Sequence, residues 1–101
     1  MDIDITKTGD ELFMTLDGSI DISGAETLKR NLNTVLEYYH DIKKLTIDFS
    51  QVDFIGSSGI GKLLLFYKKF SAGGGSIWII NANPEIKTLL RDIQVEEMFH
   101  V

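Results

Sequence analysis

The segment Gly56-Ser-Ser-Gly-Ile-Gly-Lys62 holds the residues best suited to chemistry in this chain: two adjacent hydroxyls among three glycines, ahead of a lysine. It follows an apolar strand and a loop, and it opens a helical pattern. A helix leaves its first N–H groups unpaired, and a serine at that point can cap them. A phosphate on such a serine would meet those donors and the positive end of the helix dipole. The segment is therefore suited to a reversible charge switch. Ser57 is the expected modified residue, and Ser58, deeper in the helix start, is its rival.

The same residues admit other readings. Gly56 to Lys62 has the spacing of a phosphate-binding P-loop, whose backbone N–H groups wrap phosphates and whose final hydroxyl holds Mg²⁺. Leu63 stands where that hydroxyl belongs, and Ser50 to Phe54 separate the glycines from their strand. A small nucleotide-binding protein using Gly56–Lys62 is the lesser alternative. Ser57 to Gly61 also looks like the cofactor turn of short-chain dehydrogenases. Its glycine spacing is off by one residue, and the only Tyr-x-x-x-Lys string, Tyr39 to Lys43, precedes the turn. The plain structural reading is that Gly59 and Gly61 permit close helix–sheet packing and that Ser57 or Ser58 caps a helix.

No other cluster points to catalysis. Asp48 and Asp53 read as solvated loop acids. His40 and His100 stand alone, so neither a metal nor a cofactor is expected. Tyr38, Phe66, Phe70 and Trp78 are assigned to the core. The 101 residues suit one domain, residues 1–101, with one modest core. A net charge of −5 disfavours nucleic acid as a partner. There is no cysteine for disulfides or thiolate metal sites. No apolar run reaches the ~18 residues of a membrane span, and the N-terminus lacks a signal-peptide pattern. A cytoplasmic protein without membrane insertion is expected.

The elements that must position the serines follow from periodicity. Ile3 and Ile5 alternate with polar residues, Thr8-Gly-Asp10 is a turn, and Leu12–Leu16 is a second strand, giving a hairpin. Ala25, Leu28, Leu32, Val35, Leu36 and Tyr39 share one helical face. Ser23 and Glu26 have the spacing of a capping box for that helix. Leu45, Ile47 and Phe49 face one way on a strand. A helix from about Ser58 to Phe70 is apolar nearly all round, which implies burial on more than one side. Ser76–Ile80 reads as a buried parallel strand. Asn83-Pro84 opens a last helix with Ile86, Leu89, Leu90 and Ile93 inward. Val95–Val101 has no assignable period. The order β-β-α-β-α-β-α predicts an α/β domain: a small mixed sheet of four to five strands, an N-terminal antiparallel hairpin, two parallel crossovers, and helices against the sheet. The Ser19–Gly24 and Gly56–Gly59 segments both follow strands and precede helices, so they should be neighbours at one sheet edge.

Three segments together resemble the STAS domain family of bacterial anti-sigma-factor antagonists. Leu16–Leu28 looks like the family's G-x-[LI]-D turn and first helix. Leu45–Gly61 looks like its hallmark strand, loop and D-S-[ST]-G-[LI]-G turn. Gly73–Pro84 looks like the approach to its third helix. The resemblance implies a non-enzymatic, phospho-regulated binding module. Such a module sequesters an anti-sigma factor that is also a serine kinase. Phosphorylation of the first hydroxyl of the turn, here Ser57, releases it, and a serine phosphatase resets it. The implied partner-binding residues are Asp21, Ile22, Ser23, Gly56, Ser57, Ser58, Gly59 and Ile60. Gly56 departs from the family pattern, which has Asp there. Other members are never phosphorylated and act as docking modules in transport or sensory complexes, which is the alternative reading.

Overall fold

A computed structural model describes residues 1–101. Strands β1 (Asp2–Thr8) and β2 (Glu11–Asp17) form the expected hairpin. The turn between them uses Gly9 at φ +62, a left-handed conformation that glycine adopts without strain. Helix α1 (Ile22–Tyr38), strand β3 (Lys44–Gln51), helix α2 (Ser57–Ala72), strand β4 (Ser76–Ile80) and helix α3 (Pro84–Asp92) follow. The sheet has four strands in the order β1-β2-β3-β4, with β2, β3 and β4 parallel. This is the architecture expected from the periodicity.

Alternation along the strands decides which face is covered. Leu12, Met14 and Leu16 of β2, and Leu45, Ile47 and Phe49 of β3, point into one core of 24 residues. Ala25, Leu28, Leu32 and Val35 of α1 meet them, with Leu63, Phe66 and Phe70 of α2 and Ile86 and Leu90 of α3. Phe66 and Phe70, one helical turn apart, stack with ring centres 5.0 Å apart. Asn83 caps α3 by accepting from the Ile86 N–H, and Pro84 takes the first helical position.

The opposite sheet face has no helix over it, and this corrects several expectations. β4 is an edge strand with one buried face, not a strand buried on both sides. Trp78 therefore lies outside the core, on the open face, where its ring stacks on His100 at 3.9 Å and Lys44 Nζ sits 4.7 Å from its centre. Tyr38, in the last turn of α1, is also exposed rather than core, and Ile93 falls at the C-cap of α3 and is partly exposed rather than turned inward. α2 has the smallest exposed share of the three helices. Its cover is incomplete all the same, because Leu65 faces water at 62% exposure.

The tail without a period has a definite role. The Phe99 carbonyl accepts from the Ile79 N–H at 2.8 Å on the outer edge of β4. His100 Nδ1–H donates to the Ile77 carbonyl at 2.8 Å. The Phe99 ring is fully buried, edge-on to Tyr67. The tail thus occupies part of an edge that would otherwise be open to strand pairing. Phe99→Ala should lower stability by about 3–5 kcal/mol, the usual cost of truncating a buried phenylalanine. A urea unfolding midpoint unchanged by this substitution would show that the tail is not docked.

Candidate functional site: two helix starts held by one bridge

After β2 and β3 end, the two segments pair once more. Ile20 and Ile55 form an isolated parallel bridge. The Ile20 N–H donates to the Phe54 carbonyl at 2.8 Å, and the Gly56 N–H donates to the Ile20 carbonyl at 3.0 Å. Both isoleucine side chains are buried. At the solvent side, the Ser19 hydroxyl donates to Asp53 Oδ1 at 2.7 Å. Gly18, at φ +128, donates to the Gln51 carbonyl and makes the turn that leads into the bridge. Asp21 follows Ile20 directly and Ser57 follows Gly56, so the bridge brings the two expected segments side by side.

Each segment then starts a helix with the same arrangement of positions. Asp21 is the N-cap of α1, followed by Ile22, Ser23 and Gly24; Gly56 is the N-cap of α2, followed by Ser57, Ser58 and Gly59. Asp21 Oδ1 accepts from the Gly24 N–H at 2.7 Å. The cap is therefore Asp21 and not Ser23, which lies exposed inside the helix, and the expected capping box with Glu26 does not form. The cause is the bridge, which fixes where the chain turns into α1.

α2 begins differently. Its N-cap is a glycine with no side chain to offer, so Ser57 and Ser58 are its first two residues rather than caps. The N–H groups of Ser57, Ser58 and Gly59 have no acceptor within the chain, and neither serine hydroxyl is hydrogen-bonded. Ser57 is exposed and Ser58 half-buried. The helix starts immediately after Gly56, so Gly56–Lys62 is not the open loop that a phosphate cradle of the P-loop type requires.

The glycines divide by role. A β-carbon on Gly59 would run into Ile20 Cγ2 and lie 3.1 Å from Ile55 Cγ1, so the bare backbone of α2 rests on the bridge. A β-carbon on Gly24 would run into the Ser19 carbonyl oxygen. Gly61, by contrast, has open space where a β-carbon would go, so the expectation that it serves packing does not hold. Ile60 is half-buried against the core, while Ile22 (77% exposed) and Phe54 (52% exposed), whose ring lies beside Gly56, are apolar surface on the two segments. Phe54 and the Ser19–Asp53 contact carry no signal in the sequence, because both acquire meaning only from the bridge.

Asp48 is not a loop acid. It lies in β3, half-buried on the open face. Burial pushes its carboxyl up, but hydrogen bonds from the Ser50 N–H and Asn81 Nδ2 outweigh that and hold it below the ordinary carboxylate value.

The glycines supply a paired test. Gly59→Ala should destabilise the protein by about 1–3 kcal/mol, the cost of forcing atoms into a packed contact. Gly61→Ala should stabilise it by about 0.5–1 kcal/mol, since the helix gains and nothing is displaced. Thermal unfolding in which the two variants behave alike would contradict this division.

The family model described as "STAS domain" matches residues 2–101. An anti-sigma-factor antagonist STAS domain protein from Planctomyces limnophilus superposes with a TM-score of 0.82 at 18% identity, over 96% of this chain and 85% of that one. The phosphorylated form of the Bacillus cell fate determinant SpoIIAA does so with a TM-score of 0.76 at 17% identity, over 97% and 88%. The murine anion transporter Slc26a9 matches at 0.76 and 16% identity, over 91% of this chain but 15% of the transporter. At these identities the structures speak for the fold, and the family match covers nearly the entire sequence: the chain belongs to the STAS domain family.

Proposed function

We propose that this STAS domain is a non-enzymatic anti-sigma-factor antagonist, controlled by phosphorylation of Ser57. One observation carries the reading: an exposed serine is the first residue of a helix whose leading N–H groups have no acceptor. A phosphate adds about −1.5 to −2 charges at neutral pH. Here it gains nearby donors and the helix dipole, so the modified fold is tolerated. The partner is a kinase-type anti-sigma factor packed on Asp21–Ser23 and Gly56–Ile60, and a serine phosphatase restores the binding form. This assignment agrees with the names of the similar SpoIIAA structures, one unphosphorylated and one phosphorylated.

Partner release follows from desolvation. An interface packed on the unmodified Ser57 would bury the phosphate without a matching cation, which is costly. A penalty of only ~2.7 kcal/mol weakens binding about a hundredfold. Gly56 favours a second reading, a docking module that is never phosphorylated. The family motif places a carboxylate there, and this chain has none. That role is in keeping with the similarity to a domain of Slc26a9.

Incubation with ATP and a candidate partner kinase, followed by intact mass and site mapping, separates the readings. The expected result is one phosphate, on Ser57. Ser57→Asp should weaken the complex about a hundredfold, and Ser57→Ala should bind but resist modification. Asp21→Asn keeps a capping side chain and should alter modification or affinity with little loss of fold. A phosphate mapped to Ser58, or full-strength binding by Ser57→Asp, would overturn the assignment. A complex that forms without any phosphate would favour the docking module.

A further inference from the structure

α1 and α2 lie side by side, and a groove of about 190 Å³ runs between them. Its apolar lining is Leu32 and Leu36 from α1 and Phe66 from α2, buried or half-buried, with the exposed Leu65 of α2 beside them. Leu65 is the one large apolar residue of α2 left mostly in water. The rim is cationic, formed by Lys29, Lys62 and Lys69. Glu26 comes within 3.6 Å of Lys62 and partly neutralises it, whereas Lys29 and Lys69 have no ion-pair partner. α2 as a whole holds three lysines and no carboxylate, in a chain of net charge −5. Past Lys62 and Leu65 a second, more open concavity of about 550 Å³ continues to Ser57 and Ser58.

An apolar lining ringed by cations, on an otherwise acidic protein, complements one kind of surface. That surface is a short amphipathic helix with aliphatic side chains along one face and Asp or Glu along both margins. We propose that the α1–α2 groove docks such an acidic amphipathic helix from a protein partner. The aliphatic side chains seat between Leu32 and Leu65, and the carboxylates pair with Lys29 and Lys69. Anionic membranes carry related chemistry, but Leu65 is the one apolar lining residue that stands mostly in water, too little to anchor in a bilayer, and the net charge of the chain opposes approach. The inference stands apart from the reading of Ser57 and holds whether or not that serine is modified.

The test uses the full chain, ¹⁵N-labelled, and a fluorescein-labelled synthetic helix with leucines at i, i+4 and i+7 flanked by glutamates. A scrambled peptide of the same composition and phosphatidylglycerol vesicles serve as controls. The expected result is saturable binding that weakens as salt rises, with shift changes at Leu32, Leu65 and Phe66. Leu65→Ala and Lys69→Glu should each weaken it about tenfold or more. Both side chains face solvent, and circular dichroism confirms that the variants remain folded. Equal binding by the scrambled peptide, shift changes confined to other surfaces, no saturable binding, or binding to the vesicles in preference to the peptide would each overturn the proposal.

Discussion

Ile20 and Ile55 pair where the regular strands have already ended, and the site depends on that pairing. Their backbone bonds tie the approach to α1 to the approach to α2. Their side chains, both buried, form the surface on which the first turn of α2 rests. A bulge near the end of β2 and the turn at Gly18 bring Ile20 to its place. Without the bridge, two loops of a few residues would wander independently, since fixing each residue costs about 1–2 kcal/mol of backbone entropy. With it, two helix N-termini emerge together from one edge of the sheet.

The two starts share a pattern and differ in one side chain. Asp21 satisfies the Gly24 N–H and brings a negative charge to the positive end of α1. Gly56 leaves the equivalent N–H of Gly59 without a partner in the chain. One helix start is closed by its own carboxylate, and the other is open to water or to an incoming anion. That asymmetry gives Ser57, rather than Ser23, the setting in which an added phosphate finds donors.

Local rules made much of this legible in the sequence. Strand alternation in Leu45–Phe49, the helical face of Ala25–Val35 and the Asn83-Pro84 start all act within a few residues, and all three appear in the fold. Contacts between distant segments were harder to see. Asp21 and Ser23 are both good caps, and only the pairing of Ile20 with Phe54 decides between them. Glycines 59 and 61 look alike in the chain, yet only Gly59 meets the bridge. Ser76–Ile80 reads as buried on both sides because its residues are apolar; Trp78 lies outside the core because no helix covers the second face. The tail has no period because Phe99 and His100 are placed by the edge of β4 rather than by a helix or ladder of their own.

If the bridge holds the site together, its two N–H groups should open only when the domain as a whole unfolds. Native-state hydrogen exchange followed by NMR measures this directly at Ile20 and Gly56. The account predicts that both amides exchange with opening free energies near the global value, alongside core amides such as that of Ile47. The unpaired amides of Ser57, Ser58 and Gly59 should exchange far faster. Exchange of Ile20 and Gly56 at the rates of free loops would contradict it, because the two helix starts would then not be held as one unit.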